Sequence, residues 1–297
     1  MARRVRGYVV RLLMVSVLSF VPAAGAGQDP LRSGREAARG PQILGGTQAQ
    51  AGDYPWQVAL IREWEDNPYD GLACGGSLIT PEWVLTAAHC VIIAGFPVSP
   101  ESRQVILGVL KLSDAPRTGS QGQRLNVDRI IPHPGFEYAS LQNDIALLHL
   151  STPAELGPMV GTIVPASNAN EVLFSPSVNA TVIGWGSQGE TRPDELYRLS
   201  LPIVIRRDCE AAMGPVFPSN LCAGSGEAGQ DACTGDSGGP LVVPDGSGGW
   251  LLAGIVSWGY SPCGQSGRFS VYTRVASYKS WIHQYIGPFF YLPFVAR

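Results

Sequence analysis

Residues 234–243 read TGDSGGPLVV: a serine lies between an aspartate and two glycines, immediately ahead of an apolar Leu-Val run. Gly235, Gly238 and Gly239 allow backbone conformations closed to other residues and let another stretch of chain approach closely, which a pair of converging N–H donors requires. A hydroxyl is a weak nucleophile until a base takes its proton, so Ser237 has chemical meaning only with an imidazole and an orienting carboxylate elsewhere. Working outward, LTAAHC puts His89 at the end of an apolar run beside Cys90, and LQNDIALLHL puts Asp144 at the mouth of another. Singly, each has an ordinary reading as a structural histidine, a turn aspartate or a glycine turn. Together, in the order His, Asp, Ser, they point to nucleophilic catalysis.

The frame around these stretches is that of an exported β protein. At 297 residues, with 45% apolar and 15% charged content, the chain is long and apolar enough to fold as a globule. It opens MARRVRGYVVRLLMVSVLSFVPAAGA: a basic start, an apolar stretch from Leu12 to Val21, then small residues at Ala24 and Ala26. This reads as a signal peptide over 1–26, too short in its apolar part for the roughly 20 residues of a membrane span, and it implies a secreted, extracellular protein. No later segment is apolar enough to span a bilayer. Removing the first segment with its four arginines takes the formal net charge from −3 to −7, and without a basic patch nucleic acid is excluded as a partner. Residues 27–42 are polar, Arg-rich and aperiodic, and read as an exposed propeptide.

Six cysteines, Cys74, Cys90, Cys209, Cys222, Cys233 and Cys263, suit an oxidising compartment and three disulfides, with fifteen connectivities open. No C-x-x-C pair or histidine cluster suggests a metal. Short apolar runs such as QVALI, WVLTAA, ATVIGWG and WLLAGIVSWG, separated by Gly, Pro, Asn and Ser, predict many short strands in a sandwich or barrel. Only residues 276–286 have spacing that suits a helix, and no internal repeat is visible.

TAAHC, NDIALL and GDSGGP, together with ILGG at Ile43, PWQVAL, CGGSLI, GWG, SWG and VYTRV, resemble the signature stretches of the chymotrypsin and trypsin family of serine endopeptidases. The resemblance runs from Ile43 to about Ile286. It implies an all-β fold of two antiparallel six-stranded β-barrels, about 43–165 and 166–275, with a cleft between them and a terminal helix at 276–286. It implies that Ser237 attacks the scissile carbonyl, His89 takes and returns the proton, Asp144 holds the imidazole, and the N–H groups of Gly235 and Ser237 form the oxyanion hole. The cysteines would pair as Cys74 with Cys90, Cys209 with Cys222 and Cys233 with Cys263. A further bridge of many relatives would join the positions of Ala180 and Val243, and here both ends are absent together. His133, His149 and His283 read as surface or strand residues.

Asp231, six residues before Ser237, stands where trypsin-like enzymes place the carboxylate that pairs with Arg or Lys. Gly259 would keep that pocket open, and Ser257, Trp258 and Gly259 would align the substrate backbone by strand addition. Ser270 replaces a glycine of the family and is expected to narrow the pocket. Phe269 replaces a common proline and implies a monovalent-cation site beside it, which would show as different rates in sodium and choline salts. No calcium loop and no other metal is implied. Cleavage before Ile43 would free an amine to pair with Asp236. Gln42 is a poor site for an enzyme that selects through Asp231, so another activating protease, or trimming, is expected to expose Ile43. The implied partners are protein or peptide substrates and that activating protease; the enzyme is expected to be a monomer. Asn179-Ala180-Thr181 is a glycosylation sequon, and the apolar tail 287–297 would pack on the body or meet a partner. The alternative, a catalytically silent binding or regulatory protein of this fold, would need failed activation or a distorted pocket. A lipase or esterase would show the order Ser, Asp, His and a G-x-S-x-G elbow.

Overall fold

The run QVALIR forms the first barrel strand, β1 (Gln57–Arg62), and Val58, Ala59, Leu60 and Ile61 are all fully buried. Four consecutive buried residues mean that both faces of the strand are covered, which is why this run is continuously apolar rather than alternating. Five further strands complete the ring: β2 (Leu72–Thr80), β3 (Trp83–Thr86), β4 (Arg103–Leu107), β5 (Gln123–Pro132) and β6 (Ala146–Leu150). They close in the order β1-β2-β3-β6-β5-β4, antiparallel throughout. The computed structural model describes residues 45–115, 122–187 and 192–287. The signal-peptide and propeptide readings, Ile43 and the tail 288–297 lie outside the described residues.

The second barrel uses β7 (Asn179–Gly184), β8 (Tyr197–Val204), β9 (Asn220–Ala223), β10 (Pro240–Pro244), β11 (Trp250–Trp258) and β12 (Ser270–Arg274). Its ring runs β8-β7-β10-β11-β12-β9 and closes through β8–β9. Position by position this is the same ring as the first barrel, so the chain repeats its topology without repeating its sequence. Strand β8 shows the period of a half-covered strand: Tyr197, Leu199, Leu201 and Ile203 are buried while Arg198 and Ser200 are exposed. Val182, Leu199, Leu201, Leu241, Val243 and Tyr272 fill the interior.

Two straps tie the barrels. Thr47–Gln48, placed by the sequence reading in the first barrel, pair instead with Arg198 and Tyr197 of β8. The terminal helix, Lys279–Ile286 after a 3-10 turn at Val275–Tyr278, buries Ile282 in the core cluster that contains the first-barrel strands. A second helix, α1 (Arg206–Met213), was not expected: its eight residues carry only Cys209 and Met213 as buried anchors, too few to register as a pattern. The disulfides are Cys74–Cys90, Cys209–Cys222 and Cys233–Cys263, as the resemblance implied. Among the described residues no helix is long and apolar enough to cross a membrane.

Candidate active site

Strand pairing brings the imidazole and the carboxylate together. In the antiparallel β3–β6 ladder Thr86 lies opposite Ala146, so the residues just after β3 and just before β6 leave the barrel side by side. His89 follows β3 on a 3-10 turn, Ala88–Cys90, pinned to β2 by the Cys74–Cys90 bridge. Asp144 is completely buried, and its Oδ1 accepts the His89 backbone N–H at 2.9 Å. Its Oδ2 accepts from His89 Nδ1 at 2.7 Å and from Ser257 Oγ at 2.5 Å. Thr273 Oγ1 donates to the Asp144 carbonyl at 2.7 Å. A carboxylate so enclosed keeps the proton of the neutral ring on Nδ1, which leaves Nε2, 3.7 Å from Cys90 Sγ, as the acceptor atom of the ring.

Ser237 arrives from the other barrel, on the turn that leads into β10. The turn is clamped on both sides: Gly75 N–H of β2 donates to the Ser237 carbonyl at 2.7 Å, and Gly238 N–H donates to the Val256 carbonyl at 2.8 Å. Gly238 sits at φ +78°, and a Cβ there would overlap Thr86 Oγ1 and lie 2.6 Å from the Gly75 carbonyl oxygen, so only glycine passes between the barrels. The turn that carries Ser237 thereby passes beside Cys90, the neighbour of His89, for a Cβ on Gly238 would stand 3.1 Å from Cys90 Sγ. Among the described residues Ser237 Oγ makes no hydrogen bond, so no link to His89 Nε2 is closed; such links commonly tighten only with substrate. The N–H groups of Gly235, at φ +101°, and Ser237 are likewise unengaged by protein acceptors.

Beside Ser237 a cavity of about 140 Å³ is bounded by Ala232, Cys233, Trp258, Gly259, Tyr260 and Ser270, among others. Asp231, 6% exposed, does not line this cavity but lies behind its lining residue Ser270, and burial pushes its carboxyl above the ordinary range against the opposing pull of its hydrogen bonds. Gly264 N–H donates to Oδ2 at 3.0 Å, and Ser270 Oγ donates to Oδ1. The Asp231 carboxylate therefore meets the cavity through the Ser270 hydroxyl rather than bare, as the sequence reading had it. Asp236, next to Ser237, is fully enclosed; it accepts from Gly186 N–H at 2.8 Å and Cys233 N–H at 2.9 Å, and burial raises its pKa to about 6. Any side chain on Gly184 or Gly186 would overlap this carboxylate. The Phe269 ring covers Gly224, and its N–H faces Met213 Sδ at 3.3 Å.

The sequence reading used Ser257 for substrate alignment and missed its side chain on Asp144; nothing local marks a contact between residues 113 apart. Thr273 and Thr86, whose Oγ1 donates to the Gly75 carbonyl at 2.8 Å, were missed for the same reason. The remaining histidines stand elsewhere: His133 stacks against Tyr278 and Trp281, and His149 on β6 meets Asp128 at 2.6 Å. Among the described residues the one grouping of metal-binding types is Cys74, His89 and Cys90, whose sulfurs are bonded to each other and whose imidazole is committed to Asp144.

Comparison with known proteins agrees with this geometry. The family model described as Trypsin matches residues 43–282. The chain is 39% identical over 261 residues to vitamin K-dependent protein C of Rattus norvegicus, covering 85% of this chain and 53% of that protein. It is 37% identical over 245 residues to Trypsin-1 of Astacus astacus, covering 81% of this chain and 98% of that protein. The chain thus spans about half the length of its protein C relatives and nearly all of the crayfish trypsin. With the double barrel, the His89–Asp144 pair and the Ser237 turn at their junction, the match identifies the chain as a member of the trypsin family of serine endopeptidases.

Proposed function

We infer that this protein is a secreted endopeptidase, made as an inactive precursor, that hydrolyses peptide bonds after Lys or Arg through an acyl-enzyme. One observation carries the chemistry: a fully buried Asp144 holds both the backbone and Nδ1 of His89, which leaves Nε2 as the acceptor atom of the ring, on a turn whose Cys90 lies against the glycine that follows Ser237. Ser237 Oγ attacks the carbonyl as Nε2 takes its proton. The oxyanion is received by the N–H groups of Gly235 and Ser237, each worth roughly 3 kcal/mol at the transition state. The imidazolium, stabilised by Asp144, then protonates the leaving amine, and water reverses the sequence to free the acid. The cationic preference rests on the buried Asp231, which reaches the cavity through Ser270, and Ser257 to Gly259 on its edge supply the backbone that aligns the substrate.

Control lies in the N-terminus. In the uncut chain the Ile43 nitrogen is an amide and cannot neutralise Asp236; cleavage before Ile43 creates the amine that does, and a buried carboxylate gains strongly from such a partner. A protease other than this one is needed, since Gln42 offers no cation to Asp231. Labelling the form that begins at Ile43 with a serine-directed phosphonate is expected to place one adduct on Ser237 and abolish peptide hydrolysis. Full labelling and turnover by the intact precursor would overturn the zymogen reading, and no labelling of either form would favour a silent binding protein. A monovalent cation beside Phe269 is a separate proposal resting on the resemblance; equal turnover in sodium and choline salts removes it.

A further inference from the structure

The cavity beside Ser237 is bounded by Ser270 and not by Asp231, the residue whose charge it depends on. Ser270 opens strand β12, is 3% exposed, and gives its one hydroxyl proton to Asp231 Oδ1. The same oxygen lies 3.6 Å from where a Cβ on Gly259 would stand, so the hydroxyl lies close to a second lining residue of the cavity. Asp231 Oδ2 is already held by Gly264 N–H. The opposing residue Ala232 offers no polar side chain. Two positions further along the same face of β12, Tyr272 buries its hydroxyl within interaction range of the Ser270 side chain.

We propose that Ser270 makes this site select lysine over arginine, by presenting one acceptor oxygen, backed by the Asp231 charge, in place of a free carboxylate. This rests on the cationic preference argued above. Because its proton is committed to Asp231, the hydroxyl shows the cavity only lone pairs. An ammonium is a compact point charge whose three N–H groups can each find a single acceptor, and one meets Ser270 Oγ with the carboxylate behind it. A guanidinium carries its N–H groups in a rigid planar fork that matches the two oxygens of a carboxylate. Here both of those oxygens already accept a hydrogen bond, Oδ1 from Ser270 and Oδ2 from Gly264 N–H, and the Ser270 side chain lining the cavity takes up space the longer, flat group would need. Lysine therefore loses little to the serine, whereas arginine loses its second hydrogen bond and the room to make it; a site that leaves a polar group unpaired discriminates steeply.

The test uses the processed enzyme beginning at Ile43, with active-site titration, on paired peptides that differ only in Lys or Arg before the scissile bond. The wild type is expected to favour Lys by about tenfold in kcat/KM, and Ser270→Gly, which uncovers the carboxylate, is expected to raise kcat/KM for Arg by about tenfold while changing that for Lys by less than about threefold. Ser270→Ala, which keeps the Cβ but frees Oδ1, should move the ratio the same way by less and covers the case in which the glycine variant fails to fold. Equal use of Lys and Arg by the wild type, or a ratio unmoved in both variants, overturns the proposal. If neither cationic peptide is cut while one with an apolar residue is, the cationic reading itself falls, a result separable from the other two.

Discussion

Ser257 shows how much one distant hydroxyl can matter. Its Oγ supplies one of three hydrogen bonds that meet the enclosed Asp144 carboxylate, so its loss leaves a buried charge short of a donor. A bond to a charged acceptor is worth about 1.5–3 kcal/mol, so Ser257→Ala in the processed enzyme should lower kcat by at least roughly tenfold. KM should move less, because the bond orients the base rather than the substrate. An unchanged kcat would show that the two His89 contacts hold Asp144 alone. The candidate residues His89, Asp144 and Ser237 stood out in the sequence because each sits in a distinctive short stretch. Ser257 on Asp144 and Ser270 on Asp231 were not, because a serine side chain carries no mark of the partner that folding brings to it.

At the scale of elements, the β7–β10 ladder tests the alignment behind the site. Thr181 lies opposite Val242 and Val182 opposite Leu241, and the same antiparallel register sets Ala180 opposite Val243, both wholly buried. Ala180→Cys with Val243→Cys should therefore oxidise spontaneously, closing a loop of about 64 residues and adding roughly 4 kcal/mol on chain-entropy grounds. Denaturant midpoints with and without reductant measure the gain, and two free thiols in the native protein would refute the register. Strands such as β1 were readable because continuous burial demands a continuous apolar run. Strand β5 was not, since QRLNVDRIIP buries Val127 alone and is a strand by virtue of its pairing with β4 and β6. Helix α1 escaped because eight mostly polar residues hold too little pattern.

For the whole molecule, Asp236 links stability to processing. In the uncut chain its folded pKa of about 6 lies above the unfolded value of 3.8. The native state thus binds more protons than the unfolded chain between these values, and stability falls as pH rises from about 4 to about 6, by on the order of 3 kcal/mol from this group. Under the activation proposed above, cleavage before Ile43 would supply an ammonium that lowers that pKa and removes the penalty. Unfolding free energies of the precursor at pH 4 and pH 7 should therefore differ more than those of the processed form, and Asp236→Asn should flatten the precursor's profile. A precursor whose stability rises across that window would contradict it. The amino-acid sequence alone determined the candidate catalytic residues, the cysteine pairs through the family resemblance, and the prevalence of strands, because these depend on local pattern or on short motifs. Only the tertiary structure decided that both barrels close in one ring order, that a glycine-lined junction seats Ser237 against the first barrel, and that Ser270 stands between Asp231 and the cavity. Those outcomes depend on inter-strand register, where a slip of one residue turns every side chain to the opposite face, and no local stretch of sequence encodes it.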